Sequence, residues 1–377
     1  MLNDYIHWIK DRALPVWAEH GFDGQRGRFH ERLGWDGTPV AVPHRSMVQA
    51  RQIFVFADAA VAGWLPAGGP MAEAAMASLL RDFADDNGER ASFGFSIDPA
   101  SGAILSSVRD AYAHAFLLFA IAALYRLNGD QKLLALADRI VAFIEAELAD
   151  PVHGGLFDAL PAPAEKRQNP HMHLLEAYLF LAQAAPGRGY AERASGLVAL
   201  FRRHFFRDGL LLEYFTPDWG IGKHAAWEPG HHFEWVWLLG EYARLTGEHL
   251  GAEMAALFEA AAGHGVTSDG LILDELSPAL SVLKSSRRLW PHAEAIKAAA
   301  TRHDQGDAAA RAWADRISGA LMRDFLDQPF IGGWTDHRAG DGTPLVDYVP
   351  ASSLYHLLLA ARVAAGGFAP VPEPAKA

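Results

Sequence analysis

Residues 170–184 read PHMHLLEAYLFLAQA, an almost wholly apolar stretch that opens with two histidines. Five other stretches have the same character, and a conspicuous polar residue enters each of them at intervals of roughly 60 residues. Such a fixed period predicts six copies of one supersecondary unit, arranged so that the copies bury a common core. The polar residues at the corresponding points are Arg51, His114, His173, His231, His292 and His356.

The six apolar stretches predict buried helices. Apolar residues follow helical spacing in each of them, and a helix that is apolar on all sides suits the interior of a protein. The segments between them, such as KLLALADRIVAFIEAELA at 132–149, are more charged and predict outer helices. Strand-like alternation is confined to short pieces such as GLLLEYF at 209–215. We therefore predict an all-α toroid in which each repeat is an outer helix, a linker and an inner helix.

The linkers before the inner helices are long and rich in Gly, Pro and Asp. Long ordered loops in a compact domain usually carry function, and in a ring of six helices they would roof the mouth where the polar residues meet. We predict a single catalytic domain over residues 1–367 and a frayed tail over residues 368–377. Examples of these linkers are residues 87–107, 150–169, 207–230 and 332–350.

Composition excludes several classes of partner. Lys and Arg number 33 against 45 Asp and Glu, a formal charge of -12, and no basic block is present, so nucleic acid and anionic membranes are poor partners. No apolar run reaches the length of about 18 residues that predicts a transmembrane helix. Cysteine is absent, which rules out disulfides and thiolate metal sites. We expect a cytoplasmic protein that binds a neutral small molecule, and a homodimer is compatible with these features.

The strongest local motif is NPHMHLLE at residues 169–176. Residues three or four apart share a helix face, so Asn169, His173 and Glu176 would line one surface. The same pattern also fits a helix start in which Asn169 is the cap and His173 bonds a buried acid.

A second motif, EPGHHFE at residues 228–234, repeats the His-x-x-Glu spacing of the first. The repetition favours His231 over His232 as the residue that faces the cavity. Glu234 would hold one imidazole nitrogen of His231 and leave the other free for proton transfer. His356, in the last inner helix, shares this register and is a third candidate.

Arg51 stands in the almost wholly apolar stretch SMVQARQIFVFADA. A buried arginine needs a partner or a ligand, so it either pairs with an inward acid or supplies a fixed cation beside a developing oxyanion. His114, His292 and His337 are weaker candidates, and His114 also fits a structural role. Aromatic residues in or beside the linkers could stack on a sugar or pack the core: Trp290, Trp334, Trp227 and Phe93.

A metal site is not expected. The histidines and glutamates of the two motifs have suitable ligand atoms, but the spacing H-E-x-x-H is absent. Each histidine also has an acidic neighbour that can orient it. The residue types therefore require no metal and no redox cofactor.

These residues resemble the N-acylglucosamine 2-epimerase family. The resemblance runs over essentially the whole chain, through RQIFVFA, NPHMHLLEA, EPGHHFEW, LWPHAEAIKA and GGWTDH in that order. It implies an (α/α)6 barrel that binds an aldose in its mouth. Asn169 and Trp290 match substrate-contacting positions, and His231 and His356 match the pair with acid–base roles. The family's polar pocket residues are matched by Arg51, His173, His231, Glu234 and His356.

The chain departs from the cellobiose epimerases of this family at one informative place. Those enzymes carry two adjacent tryptophans where this chain has Leu289, Trp290 and Pro291, which argues against a second sugar ring. This form, together with GGWTDH and the turn that follows it, is most similar to mannose isomerase-like members. The resemblance therefore implies interconversion of free D-mannose and D-fructose through a cis-enediolate.

The residue types suit that reaction but also allow others. Histidine suits ring opening and proton abstraction because its pKa lies near the working pH, and the permanent charge of Arg51 suits the enediolate. The same set fits an aldose 2-epimerase of the mannose/glucose or N-acylglucosamine type, and a mannose-6-phosphate isomerase. Two further classes stay open: an inverting glycoside hydrolase, with Glu176 and Glu234 as its two carboxylates, and a non-catalytic sugar-binding protein.

Overall fold

The structure, a computed structural model, describes residues 1–366, so the predicted tail over residues 368–377 lies outside it. The π-helical turn Ile9–Ala13 joins the first two helices into one, which leaves twelve long helices in the described range. Similar π-helical turns, Ile144–Leu148, Phe201–Phe205 and Ala261–Gly265, extend α6, α8 and α10, and the 3-10 turn Ala351–Ser353 precedes α13. The α-helices are α1 (Leu2–Trp8), α2 (Leu14–Glu19), α3 (Ser46–Val61), α4 (Gly68–Phe83), α5 (Ala111–Asn128), α6 (Gln131–Phe143), α7 (Asn169–Ala184), α8 (Tyr190–Leu200), α9 (Pro229–Thr246), α10 (Gly251–Ala260), α11 (Trp290–Asp304), α12 (Ala310–Asp324) and α13 (Leu354–Ala364).

The strands are short and lie in the linkers. They form antiparallel pairs, apart from one three-stranded sheet of β4, β7 and β8. The strands are β1 (Phe22–Asp23), β2 (Arg28–Phe29), β3 (Arg32–Gly34), β4 (His44–Arg45), β5 (Ala84–Asp86), β6 (Ala91–Phe93), β7 (Ser96–Ile97), β8 (Ile104–Ser106), β9 (Arg109–Asp110), β10 (Ala159–Leu160), β11 (Lys166–Arg167), β12 (Phe206–Arg207), β13 (Leu210–Leu211), β14 (Tyr214–Phe215), β15 (Glu275–Leu276), β16 (Val282–Lys284), β17 (Arg287–Arg288), β18 (His337–Arg338) and β19 (Tyr348–Pro350).

Six inner helices form a closed ring. The helices α3, α5, α7, α9, α11 and α13 contact one another in that order, and α13 contacts α3 again. Each outer helix packs on the inner helix that precedes it, as α4 does on α3. Along the chain each outer helix is followed by a linker and an inner helix, as predicted. The first outer helix has no inner helix before it, and α1 packs on α12 and α13 at the other end of the chain. The fold is an (α/α)6 barrel, which confirms the predicted fold class.

Burial on all sides holds the inner helices in place. In α5 every residue from Ala113 to Leu124 is buried, and each large apolar side chain contributes roughly 1.5–3 kcal/mol when fully buried. Among residues 1–366, α5 is the one helix whose length and hydropathy would fit a membrane span, but 72% of that window is buried inside the barrel. The outer helix α6 is buried along one face, through residues such as Leu133 and Ile140.

Four buried histidines, which we call the staple histidines, fasten the linkers to the inner helices. In His232, Nε2 accepts a hydrogen bond from the backbone N–H of Leu211 at 3.1 Å, and Nδ1 donates to the backbone carbonyl of Glu228 at 3.1 Å. Gln49 has the equivalent role in the first repeat, since its Oε1 accepts from the N–H of Phe29 at 2.9 Å. The staple histidines are His114, His171, His232 and His292.

The staple histidines correct the predicted repeat. His114 and His292 occupy the staple position, so they are not equivalent to His173 or to His356, which line the cavity described below. Both positions recur with the same period, and the spacing alone therefore could not separate them. In each of the first five inner helices, the residue that follows Gln49 or the staple histidine by two positions in the sequence lies at the cavity or beneath it. These residues are Arg51, Phe116, His173, Glu234 and Glu294.

The staple histidines predict a loss of stability in mild acid. Burial lowers the pKa to about 4 in His114, His232 and His292 and to about 3 in His171. The unfolded chain therefore binds more protons than the folded one between these values and the ordinary pKa near 6.5. This contribution to stability is fully present above about pH 6.5 and is lost as the pH falls toward 4.

We test this with His232→Gln and His232→Ala, measured by thermal denaturation from pH 7.5 to pH 4.5. Glutamine keeps a hydrogen-bond acceptor and removes the titration, so the melting temperature of His232→Gln should depend less steeply on pH than that of the wild type. His232→Ala should lose about 1–3 kcal/mol at neutral pH because the N–H of Leu211 is left without its acceptor. Equal pH slopes for the wild type and His232→Gln would show that this histidine is not held neutral.

Candidate active site

A cavity of about 370 Å³ opens where the inner helices begin, which is within the size range of small-molecule sites. It brings together seven residues that the sequence proposed for a sugar site: Arg51, Asn169, His173, His231, Glu234, Trp290 and His356. The remaining lining residues come from the linkers and the first helical turns: Tyr112, Arg167, Glu213, Tyr214, Glu228, Arg288, Asp336, Ser352 and Ser353.

His231 is held between two carboxylates. Its Nδ1 donates to Oε1 of Glu213 at 3.0 Å and lies 3.7 Å from Oε2 of Glu228. Burial alone would lower the pKa of His231, but these two carboxylates outweigh it and raise the pKa to about 9. At neutral pH the imidazole is therefore protonated and can serve as a proton donor. The carboxamide of Asn169 lies 3.4 Å from its Nε2.

The acid partner of His231 differs from the predicted one. Glu234 was expected to hold this imidazole, but Glu213 does so from the linker after β13. Gln168 fixes Glu213 in place by donating from Nε2 to its Oε2 at 2.9 Å, and Trp235 in turn donates to Oε1 of Gln168 at 2.8 Å. A fixed carboxylate holds the imidazole in one orientation.

His356 has the opposite electrostatic environment. Its Nδ1 is hydrogen-bonded to Oε1 of Glu294 at 2.6 Å. Burial lowers the pKa of His356 well below its ordinary value, and the charges of Arg51 and Lys297 lower it further. His356 is therefore neutral at pH 7. Two titratable groups whose pKa values are pushed apart are a common mark of an acid and base pair.

A network of acids and a tyrosine forms the floor of the cavity. Nδ1 of His173 donates to Oε2 of Glu176 at 3.0 Å and lies 3.8 Å from Oε1 of Glu234. The hydroxyl of Tyr355 donates to Glu176, with distances of 2.7 and 2.6 Å to its two oxygens. Glu176 was predicted to bind the substrate, but it is fully buried and does not line the cavity. It instead orients His173.

Arg51 is fixed at the cavity wall by neutral partners. Its Nη1 donates to the backbone carbonyl of Ser352 at 2.9 Å, and its Nη2 donates to the hydroxyl of Tyr112. The guanidinium also lies over the Phe116 ring, 4.2 Å from its centre. No carboxylate of residues 1–366 forms an ion pair with it, so its charge is available to a ligand.

Three cavity residues carry polar atoms that no other described residue satisfies. Nε of Arg51, Oδ1 of Asn169 and Oε2 of Glu234 are buried and have no hydrogen-bond partner within residues 1–366. Buried polar groups are normally paired because an unpaired one costs about 1–3 kcal/mol. All three residues line the cavity, so the unpaired atoms mark the part of the barrel where polar groups are not fully satisfied by the protein.

Three residues proposed as substrate contacts lie outside the cavity. His292 is a fully buried staple histidine whose Nε2 accepts from the N–H of Ile272 at 3.2 Å. Trp334 is fully buried and stacks on Trp17 with the ring centres 5.7 Å apart. Phe93 is 1% exposed in the core. These side chains stabilise the barrel and the base of the linkers.

The weaker candidates are also structural. His114 is a staple histidine, with Nδ1 on the backbone carbonyl of Asp110 at 2.7 Å. Nε2 of His337 lies 2.9 Å from Oδ2 of Asp274. Trp227 is fully buried and donates its indole N–H to a backbone carbonyl. None of the three lines the cavity.

Other cavity residues were missed by reasoning from the sequence. Glu213 follows a short strand in a stretch that was read only as strand-like, and 18 positions separate it from His231. Tyr112 stands two residues before a staple histidine, in a helix start that offers no motif. Arg167 belongs to the strand β11. The place of these residues in the cavity depends on how the linkers fold over the ring, and no local spacing encodes this.

The geometry also bears on metal binding. Three groups of His and Glu have candidate ligand atoms within 4.8 Å of one another. In each, Nδ1 of the histidine lies 2.6 to 3.0 Å from a carboxylate oxygen, as in a charge-assisted hydrogen bond. While this nitrogen donates its proton to the carboxylate, it is not free to bind a metal. The groups are His173 with Glu176 and Glu234, His231 with Glu213 and Glu228, and His356 with Glu234 and Glu294.

Metal independence is therefore expected. Activity should survive dialysis against EDTA and 1,10-phenanthroline, because the carboxylates serve as imidazole partners. The measurement compares turnover before and after chelation, with the metal content of the protein determined in both samples. Loss of activity that is restored by a divalent cation would contradict this expectation.

The acid role of His231 predicts a particular pH profile. Its proton is lost as the pH rises through about 9, so kcat/KM should fall above that value. Glu213→Gln removes a carboxylate that raises this pKa, and the alkaline limb should therefore move to lower pH. The test is a pH profile of kcat/KM for both proteins. An unmoved alkaline limb would mean that another group titrates there.

The sequence model described as N-acylglucosamine 2-epimerase (GlcNAc 2-epimerase) matches residues 27–360, most of the chain. Together with the barrel and its acid–base cavity, this match defines an enzyme of the sugar isomerase and epimerase class. The chain belongs to the N-acylglucosamine 2-epimerase family.

Relatives with both reaction outcomes are similar to this chain over most of its length. A protein of Rhizobium meliloti (strain 1021) named mannose-6-phosphate isomerase is 34% identical over 369 residues, covering 94% of each chain. A D-mannose isomerase of Thermobifida fusca is 28% identical over 370 residues, covering 89% of this chain and 80% of that protein. The structure of cellobiose 2-epimerase from Spirochaeta thermophila DSM 6192 has a TM-score of 0.86 at 25% identity and covers 97% of this chain and 96% of that chain.

Proposed function

We propose that the protein interconverts D-mannose and D-fructose through a cis-enediolate. The observation that carries this proposal is the pair of cavity histidines with opposite protonation, His231 as acid and His356 as base. Moving a proton within a neutral sugar requires one group of each kind. Similarity to two proteins named as isomerases of mannose or its phosphate supports an aldose–ketose reaction.

In this proposal His231 opens the sugar ring. Its charged imidazole donates a proton to the ring oxygen as the bond from that oxygen to carbon 1 breaks. The hydroxyl on carbon 1 loses its proton, which returns to the imidazole through solvent, and Asn169 binds a neighbouring hydroxyl. The Trp290 ring lies beside both histidines, with its centre 4.9 Å from that of His231 and 5.4 Å from that of His356. A sugar packed on this tryptophan would therefore lie within reach of both the acid and the base.

His356 then acts on the open-chain aldehyde. Its Nε2 removes the proton from carbon 2, and the electron pair moves to the carbonyl oxygen to give the enediolate. Arg51 stabilises that oxygen, since its guanidinium is fixed before the reaction begins. Return of the proton from His356 to carbon 1, together with transfer of the hydroxyl proton from the oxygen of carbon 2 to the oxygen of carbon 1, gives the ketose. All atoms are conserved, and no oxidant or reductant is needed.

A 2-epimerase would use the same intermediate. In that case the acid would return a proton to the opposite face of carbon 2, after the sugar has rotated. The cavity residues support both outcomes, and the relatives named above include both. Leu289 beside Trp290, in place of a second tryptophan, disfavours a disaccharide and thus a cellobiose epimerase.

A phosphorylated sugar is the second candidate, since Arg167 and Arg288 line the cavity together with Arg51. Arg51 is thus one of three arginines that line the cavity. Arg167 is already paired with Asp158 at 2.5 Å, and Arg288 with Asp274 at 3.1 Å. A phosphate dianion binds best to cations that are not neutralised by a carboxylate. These pairs favour the free sugar.

A substrate panel tests the proposal. The purified protein is incubated separately with D-mannose, D-mannose 6-phosphate, N-acetyl-D-glucosamine, cellobiose and p-nitrophenyl mannoside, and the products are separated by chromatography. We expect fructose from mannose, with kcat/KM at least about 10-fold above that for the phosphorylated sugar, a difference of about 1.4 kcal/mol in transition-state binding. A preference for the phosphorylated sugar, an epimerised aldose as the first product, or release of p-nitrophenol would each contradict the proposal.

A further inference from the structure

Lys297 is a buried cation beneath the cavity that the proposed reaction does not use. Its side chain and that of Glu294 are both fully buried, and its Nζ lies 2.7 Å from Oε2 of Glu294. The ammonium also lies 3.8 Å from the centre of the Trp237 ring. Lys297 does not line the cavity. Burying an ion pair is often no better for stability than burying apolar residues, so the pair suggests another role.

The barrel does not need a lysine at this place for packing. Lys297 follows its staple histidine, His292, by five positions in α11. Large aromatic residues occupy the same position in three other inner helices, and Glu176 is the one other charged residue there. A methionine would fill a similar volume without a charge. The aromatic residues are Phe54, Phe119 and Trp237.

Glu294 connects Lys297 to the proposed base. One carboxylate oxygen of Glu294, Oε1, is bonded to Nδ1 of His356 at 2.6 Å, and the other faces Lys297. The carboxyl and the imidazole thus share the proton that lies between them. Its position matters, because a neutral imidazole carries a proton on one nitrogen only.

Two protonation states of this pair are available. With Glu294 ionised, the single ring proton of His356 is on Nδ1, and Nε2 is free to act as a base. If Glu294 takes up one further proton from solvent, its carboxyl donates to Nδ1, and the ring proton of His356 is then on Nε2. In the second arrangement no basic nitrogen faces the substrate.

The charges around Glu294 oppose each other. Burial and the carboxylate of Glu234 raise the pKa of Glu294 well above its ordinary value, and the ammonium of Lys297 opposes this rise. Glu176 acts in the same direction as Glu234. Lys297 is the cation in contact with Glu294, and it favours the arrangement in which the carboxylate is ionised.

We propose that Lys297 is a positioning residue that opposes protonation of Glu294, so that the ring proton of His356 stays on Nδ1 and Nε2 remains available as the base. It touches neither the substrate nor the reacting atoms. The inference rests on the proposed function, in which His356 is the base, and it adds a residue that the function alone does not require.

The tautomer of His356 provides the first test. The protein is labelled with 15N-histidine, and the signals of His356 are identified by their absence in His356→Gln. At pH 7 the wild type should show a protonated Nδ1 and an unprotonated Nε2, and Lys297→Met should show the reverse. The same tautomer in both proteins would overturn the inference. The measurement needs no substrate, so a protein that fails to convert mannose would contradict the proposed function alone.

Lys166→Met is the matched control. Lys166 is also a buried lysine, 2.5 Å from Oδ2 of Asp150, and it does not line the cavity. Its replacement removes a buried ion pair of the same type, with a comparable cost in stability. The tautomer of His356 should stay as in the wild type, and a change there would indicate a general effect of destabilisation.

Kinetics provide the second test. Lys297→Met should lower kcat by about 10- to 100-fold and change KM by less than about 3-fold, because the residue does not bind substrate. Glu294→Gln should also lower kcat, and in this variant the amide oxygen should face Lys297 while its NH2 faces Nδ1. The double variant should be no slower than Glu294→Gln, since both changes act through one hydrogen bond.

If the losses of kcat in the two single variants add up in the double variant, Lys297 acts independently of Glu294, and the inference is overturned. If Lys297→Met does not fold, the tautomer of His356 in the Glu294→Gln variant still tests the inference. A proton on Nε2 of His356 in that variant supports the inference, and a proton on Nδ1 contradicts it.

Discussion

Replacing His356 with alanine is expected to lower kcat for mannose isomerisation at least about 100-fold, because the variant lacks the group that removes the proton from carbon 2. The melting temperature should change little in comparison, since the side chain lies at the cavity and not in the core. The measurement is the rate of fructose formation from mannose. Added imidazole should restore part of the rate, because it can occupy the space that the side chain leaves.

His292→Gln is the control for that experiment. His292 is of the same residue type and lies in the neighbouring inner helix, but it is a staple histidine outside the cavity. Its replacement should lower stability more than kcat, and the rate should stay within about 3-fold of the wild type. If kcat falls as much in His292→Gln as in His356→Ala, damage to the barrel would explain the loss of activity in both variants.

His231→Ala should also lower kcat at least about 100-fold, for a different reason. This variant lacks the acid that opens the ring, so ring opening should become the slow step. With mannose deuterated at carbon 2, His231→Ala should therefore show a smaller isotope effect than the wild type, provided that proton abstraction limits the wild-type rate. His356→Ala should keep the full isotope effect.

The adjacent histidine gives the matched control for His231. His232 is a staple histidine whose ring bonds the backbone on both sides. His171→Ala and His232→Gln should each lower kcat far less than His231→Ala does. Equal losses at His231 and His232 would mean that the acid has been assigned to the wrong member of the pair.

Much of the fold could be predicted because burial leaves a strong periodic signal. An inner helix that is surrounded by other helices is apolar on every face, and six such stretches at a regular interval define the ring. The pairing of helices could not be read in the same way, since α1 packs on α13 at the other end of the chain. The staple position was missed because it shares its period with the residues of the cavity.

The site was predictable where its residues share one helix and was missed where they come from different repeats. His173 and Glu176 are bonded as their spacing suggested. The same spacing between His231 and Glu234 was misleading, because Glu213 from another element takes the place of the expected partner. Spacing reports which residues share a face, but it does not report which linker folds over that face.

One measurement tests the central claim most directly. Mannose is incubated with the protein in deuterated water, and the products are followed by proton NMR from the first minutes. Fructose should be the first product. Molecules in which the proton on His356 exchanges with solvent before its return should carry deuterium at carbon 1, and molecules in which that proton is returned directly should carry hydrogen there. Glucose that appears before any fructose would contradict the isomerase and would show that the shared enediolate is protonated at carbon 2.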